Sequence, residues 1–454
     1  MQRAEKSDVT GREVSGGRHD KCCIVVHRST PAIGQPMRIL ELKRGSTEEA
    51  ELLEAAADAH GDWVMAAAPL MARLWLMRSA TAPGLRYVGG IAEVPHAVGA
   101  RYRHPLSVGG SGLRLEDALA GCLAEAIERT AQVEREGDVA LSAPLDAVQV
   151  PDQIGELIDL MQARDPEAAR GPVDWVRAFD TTTGMETLLP ADWCLRRQNP
   201  GRIAIPGAAP STGTAAAVGA ERALDRALLE LIERDAACLW WFGGARAATL
   251  DPASPEAAAV ARLQAELRQS GKAARITRVL DISSDLPIPV MAAFAHGPDG
   301  RDLAFGLAAR HSPARAAGSA LFELCQMELG LALARGKFAE AGEATLSDID
   351  RRHLARAATA VEDLAPLDAT DADAPRHRKP AAQSTGRDGP RATALAKAGV
   401  AAWHVDLTRP DSPLDVVKAI APRLQPMPGD VVTVRLSLVQ RINADKLRPS
   451  IGIV

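Results

Sequence analysis

With 454 residues the chain has room for two or three domains or for one large α/β unit. Hydrophobic residues make up 46% and charged residues 24%, while aromatics at 3% leave Ala, Leu and Val to build an aliphatic, helix-rich core. A formal net charge of −5 and a pI near 6.1 supply no broad basic field, which argues against nucleic acid as a partner.

Residues 1–34 are rich in Gly, Ser and charged side chains and read as a flexible arm, without the apolar run of a secretory signal. Cys22 and Cys23 lie near His19 and His27 but lack metal-ligand spacing, and the remaining cysteines are scattered, as in a protein of a reducing cytosol. Residues 35–80 form a small N-terminal element: a strand over 37–42, then helical patterns over 47–60 and 62–78. The most apolar stretch, from Trp63 to Met77, is interrupted by Pro69 and Arg73 and is too short to span a bilayer, so a cytoplasmic protein without membrane contact is expected. Gly89, Gly90, Pro95 and Pro105 then punctuate short strands and turns. Strand-like runs follow at 202–206, 289–295, 303–308, 401–407 and 430–438, with long helices between, which indicates an α/β or α+β fold. Residues 365–395 have no sustained period and read as an exposed insertion within a main unit spanning 81–454.

Self-comparison exposes an internal repeat. Segment 116–131 (EDALAGCLAEAIERTA) matches segment 221–236 (ERALDRALLELIERDA) at nine of sixteen positions. In the first copy Leu115, Ala118, Leu119, Cys122, Leu123, Ala126 and Ile127 form one apolar stripe, and Glu125, Glu128 and Arg129 share a neighbouring flank. Ala223, Leu224, Ala227, Leu228, Leu231 and Ile232 repeat the stripe in the second, and Glu230, Glu233 and Arg234 repeat the flank. A weaker third copy, 316–328, has Glu323 and then Gln326 in place of the second glutamate.

One such helix is explained by a surface Glu–Arg pair worth a few tenths of a kcal/mol. A duplicated set of carboxylates is harder to attribute to so small a gain. The alternative is that the flanks meet in one cavity, where several carboxylates are tolerable only with cations among them. Mg²⁺ suits such oxygen ligands and bridges carboxylates to phosphates. Arg129 and Arg234 add forked donors for phosphate oxygens. Small residues precede both helices, 107–112 (SVGGSG) and 211–215 (STGTA), where backbone N–H groups can approach a phosphate or simply form a tight turn. Neither stretch is a P-loop or a Rossmann fingerprint.

Taken in order, the glycine-rich stretch, ExxER at 125–129, STGTAAAVGAERALDRALLELIERDA at 211–236, ALFELCQ at 320–326 and HVDLTRPDSPLDVVKAIAPRLQP at 404–426 resemble the YcaO family. The resemblance implies an ATP site between pseudo-symmetric repeated strand–helix units. Mg²⁺ would be held by Glu125, Glu128, Glu230, Glu233 and Glu323. Ser107, Ser111, Arg129, Ser211, Arg234 and Gln326 would contact the nucleotide, and 404–426 would form a late strand and helix.

It further implies ATP-dependent activation of backbone amides in a ribosomally made precursor peptide, with cyclodehydration of Cys, Ser or Thr to thiazoline or oxazoline as the leading reaction. Thioamide or amidine formation by the same activation, or a catalytically silent scaffold binding ATP or peptide, are the alternatives. A separate partner protein that binds the leader or delivers the nucleophile is expected, and a homodimer is among the assemblies the resemblance allows.

Overall fold

The computed structural model describes residues 37–94, 104–166, 171–198, 211–269, 275–367, 395–427, 431–445 and 452–453. The N-terminal arm with Cys22 and Cys23, the run at 202–206 and most of the 365–395 insertion lie outside these residues.

The chain first lays down β1 (Met37–Leu42), α1 (Thr47–His60), α2 (Trp63–Ala67), β2 (Met71–Ser79), β3 (Arg86–Ala92), β4 (Leu106–Gly112) and α3 (Leu115–Ala131). The four strands pair antiparallel in the order β1-β2-β3-β4. The strand at 37–42 and the helix at 47–60 form as expected, the helix capped by the Ser46 side chain. Of the helix expected over 62–78, only α2 forms. Pro69 falls in a short 3₁₀ turn, and 71–79 pairs with β1 and β3 instead. Leu and Met fit either period, and the sheet buries Trp75 and Met77 in a way an isolated helix would not. The glycine-rich stretch at 107–112 belongs to β4, so it is a strand and not a turn. Gly110 is required there: a Cβ would sit 2.2 Å from the Ala118 carbonyl oxygen on α3.

Next come β5 (Leu141–Ala143), α4 (Asp152–Arg164), β6 (Val173–Asp180), β7 (Glu186–Pro190), α5 (Ala191–Cys194), β8 (Thr214–Ala217) and α6 (Ala220–Trp241). A third stretch holds β9 (Ala248–Thr249), α7 (Pro255–Arg268), β10 (Ile276–Asp281), β11 (Val290–His296), β12 (Ala304–Ala309) and α8 (Pro313–Ala341). Its sheet runs β12-β11-β10-β9. Gly306 lets β12 lie directly on α8, as Gly110 does for β4 on α3. After α9 (Asp348–Ala358), β13 (Trp403–Asp406) and β14 (Asp415–Ile420) return to the middle sheet, ordered β5-β6-β13-β14-β8, with β7 on β6.

Residues 404–426 therefore supply two antiparallel strands and no helix: the Thr408 and Ser412 side chains close the loop between them, leaving 415–420 extended beside β8. The strand expected over 430–438 is also corrected, because the chain forms α10 (Val434–Ile442) there. Thr433 caps that helix by accepting the Leu436 N–H, and Arg435 pairs with the buried Asp235 on α6. A cap and a buried partner outweigh the β-branched run.

Three sheets thus end on edge strands β4, β8 and β12, and each edge strand leads into one of the repeated helices, α3, α6 and α8. The apolar stripes read from the sequence are buried, with only Leu115, Leu224 and Leu231 partly covered. Aromatics contribute more than an aliphatic core requires: Trp240, Trp241, Phe294 and Phe305 stack edge to face or tilted in the second core. Among the described residues no helix is long and apolar enough to cross a membrane, and the four described cysteines are free and buried.

Candidate functional site

An edge strand leaves a row of backbone N–H groups without strand partners, and inside a fold each of these needs an acceptor. All three repeated helices meet that need in the same way. Gly109 N–H donates to Glu125 at 2.7 Å, Gly213 N–H to Glu230 at 3.0 Å and Leu307 N–H to Glu323 at 2.9 Å. A charge-assisted bond fixes each side chain and leaves carboxylate lone pairs free.

The residue three places on reaches the next unit. Glu233 accepts the Ala309 N–H on β12 at 3.0 Å. Gln326 donates to the Ser111 hydroxyl on β4. Glu128 lies near Glu230, the largest charge acting on it. Unit one therefore meets unit two, two meets three, and three returns to one. Contacts between successive units thus link the flanks of all three helices and Ser111 in a closed chain, a ring of contacts.

Both arginines stay beside their own glutamates. Arg129 is 2.6 Å from Glu125, and Arg234 is 3.5 Å from Glu230 and 3.4 Å from Glu233. Arg129 Nε is buried without a hydrogen-bond partner, and Arg234 Nη1, ion-paired with Glu233, makes no hydrogen bond. Glu125 and Glu230 keep 29% and 27% side-chain exposure, so solvent reaches both carboxylates.

The charges are crowded. Burial, then Glu230 and Glu125, push Glu128 well above the usual carboxylate range. Burial raises Glu230, with Glu233 adding to it. Burial and then Glu233 push Glu323 up to about 7. Burial opposes the charge on Arg234, but Glu233, Glu230 and Glu323 outweigh it and hold the guanidinium protonated. Carboxylates with raised proton affinity and guanidinium donors in excess of their bonds suit a ligand that brings both divalent cation and phosphate oxygens. Among the described residues no group of three or more His, Cys, Asp or Glu could hold a metal alone.

Ser107 sits half-buried opposite Ile91 in the β3–β4 ladder, and Ser211 lies in a turn where its carbonyl accepts the Thr214 N–H. No hydrogen bond among the described residues ties either to the glutamates. Two features of the ring escape motif reading. One is the main-chain donors at 109, 213 and 307. The other is Lys418, 2% exposed on β14 and close in charge to Glu230 and Glu128. Its signal was a lone lysine inside the otherwise apolar run VVKAI.

A family model described as YcaO cyclodehydratase, ATP- and Mg²⁺-binding, matches residues 109–425. No curated protein matches the sequence. Among solved structures, a heterocyclase in complex with substrate and cofactor is similar with a TM-score of 0.59 and 20% identity, over 82% of this chain and 52% of that one. The E. coli microcin synthetase McbBCD complex with pro-MccB17 bound gives a TM-score of 0.57 and 15% identity, over 81% and 96%. YcaO from Methanopyrus kandleri bound with AMPPCP and Mg²⁺ gives 0.51 and 16%, over 87% and 94%. At these identities the likeness establishes a shared fold, and the chain spans about half the length of the heterocyclase.

Proposed function

The chain belongs to the YcaO family of ATP- and Mg²⁺-binding enzymes, and from that premise we propose that it activates backbone amides of a precursor peptide for cyclodehydration of Cys, Ser or Thr to an azoline. The observation that carries this reading is the ring itself: carboxylates from three helices with guanidinium donors left over.

In this reading Glu125, Glu128, Glu230, Glu233 and Glu323 would supply the carboxylate oxygens of the site, one or two of them to any one Mg²⁺. Arg129 and Arg234 receive phosphate oxygens and steady the charge that grows on them during transfer. Bound ATP·Mg²⁺ supplies the phosphoryl group that turns an amide oxygen, a poor leaving group, into a good one. The Gln326–Ser111 contact keeps the β4 edge beside the ring, so the arginines and glutamates stay in register. The Cys, Ser or Thr side chain closes the ring by attacking the preceding carbonyl carbon and losing its S–H or O–H proton. The carbonyl oxygen, phosphorylated at the expense of ATP going to ADP, then leaves as inorganic phosphate while the amide N–H proton is lost to form the C=N bond, so the peptide loses the elements of one water. The McbBCD relative is a complex with its pro-peptide bound, which supports a separate partner that presents the peptide here.

The test is incubation with the cognate precursor, its partner and Mg·ATP. A mass loss of one water per ring, with matching ADP release, is expected. Exchange of oxygen for sulfur would redirect the reading to thioamide formation, and ATP binding without any product would reduce the chain to a scaffold.

A further inference from the structure

The three units hold their first glutamate through a strand-edge peptide, but they do not hold that peptide in the same way. Gly109 is paired within the β3–β4 ladder and Leu307 within β11–β12, so neighbouring strands fix both residues although their N–H groups point to the edge. In the second unit the β8–β14 ladder stops at Thr214, one residue short of this peptide. Gly213 precedes β8, in a turn with φ of 74°, where a Cβ would come within 2.7 Å of the Ala419 carbonyl oxygen.

Lys418 extends the support of β14 to that peptide through its side chain. Its Nζ donates to the Thr212 carbonyl at 2.5 Å. That carbonyl and the Gly213 N–H belong to one peptide group, and the N–H donates to Glu230. The next residue on β14, Ala419, donates its N–H to the Gly213 carbonyl at 2.7 Å. Lys418 therefore reaches Glu230 through a single peptide plane. Burial lowers its proton affinity, while Cys194, Glu230 and Glu128 favour its cation and Arg196 opposes it; the lysine itself stands on a strand outside the repeated helices. Thr214, directly opposite Lys418 in the β8–β14 pairing, has a buried hydroxyl without a hydrogen-bond partner beside it.

We propose that Lys418 is a positioning residue of the site, which fixes Glu230 through the Thr212–Gly213 peptide and sets the balance of charge met by an incoming nucleotide. This rests on the nucleotide reading above. A cation at this point attracts a polyphosphate and opposes a free divalent cation, whereas a purely structural lysine would affect both alike.

The experiment is calorimetric titration of ATP at saturating Mg²⁺, together with titration of Mg²⁺ at fixed ATP, on the wild type and Lys418→Met. ATP affinity is expected to fall by about tenfold or more in the variant, while the Mg²⁺ concentration for half-saturation falls instead of rising. If Met in this polar slot prevents folding, Lys418→Gln, which keeps polar atoms without the charge, carries the same test. A folded neutral variant with wild-type ATP affinity, or one that loses ATP and Mg²⁺ affinity in parallel, overturns the proposal. A wild type that binds no nucleotide overturns the functional reading itself, and does so before any variant is compared.

Discussion

The first two glutamate helices and the third share a geometry and differ in charge. On α3 and α6 the flank reads Glu, Glu, Arg; on α8 it reads Glu323, Gln326, Met327. All three give their first glutamate to the N–H at their own strand edge. The second position divides them. As a carboxylate it must find a donor, as Glu233 does at Ala309, or bear a neighbouring negative charge, as Glu128 does beside Glu230. As an amide it is itself the donor, and Gln326 finds the neutral hydroxyl of Ser111. The ring is thus a common packing solution. Its charge is concentrated where α3 meets α6 and where α6 meets α8, while the junction of α8 with β4 is neutral.

That partition can be broken first at its charged end. Replacing Glu125 and Glu230 together by Gln keeps acceptors for Gly109 and Gly213, so the fold should survive while two carboxylates lose their charge. Calorimetry should then find Mg·ATP affinity reduced by about 100-fold or more, since the proposed site would lose two hard oxygen ligands. A double variant that folds and binds like the wild type would leave the glutamates with only their edge-capping role. At the neutral end, Gln326→Glu makes the third copy resemble the first two. It removes the donor to Ser111 and adds a negative charge to a crowded ring, so affinity should fall by about tenfold. Unchanged affinity would mean that the neutral junction lies too far from the ligand to matter.

Much of this was legible in the sequence, and the reasons differ by element. The α3 and α6 stripes and flanks could be read because a helix places residues three and four apart on one face, whatever surrounds it. The third copy was fainter because only Glu323 and Gln326 survive of its flank. What a one-dimensional pattern does not carry is which backbone groups are left unpaired by the sheet, so the N–H groups of Gly109, Gly213 and Leu307 were invisible. The same limit explains 62–78 and 430–438. Met and Leu at 71–77 satisfy both periods, and only the pairing with β1 and β3 selects the strand. Val431 to Val434 favour a strand until Thr433 caps a helix that Arg435 anchors to Asp235.

The smallest effect concerns protons, and it separates the third copy from the others by its one remaining glutamate. Glu323, whose ordinary value is 4.5, is raised to about 7, first by burial and then by Glu233. The unfolded chain releases this proton near 4.5 and the folded chain holds it until about 7. Between those values the folded state binds more protons than the unfolded, so this group's contribution to stability falls as pH rises through the window and levels off above it. A divalent cation favours the ionised form, so Mg·ATP binding at about pH 6 should release protons into the buffer. Calorimetry in two buffers of different ionisation enthalpy reads that release directly. The thermal stabilisation given by Mg·ATP should accordingly be larger at about pH 7.5 than at about pH 5.5, by up to roughly 1.4 kcal/mol for each pKa unit recovered. Glu323→Gln should reduce the proton release while Gln326→Glu increases it, because the first removes a titrating carboxylate from the ring and the second adds one. If neither changes the release, the protons come from Glu128 and Glu230, and the third copy serves the ring by geometry alone.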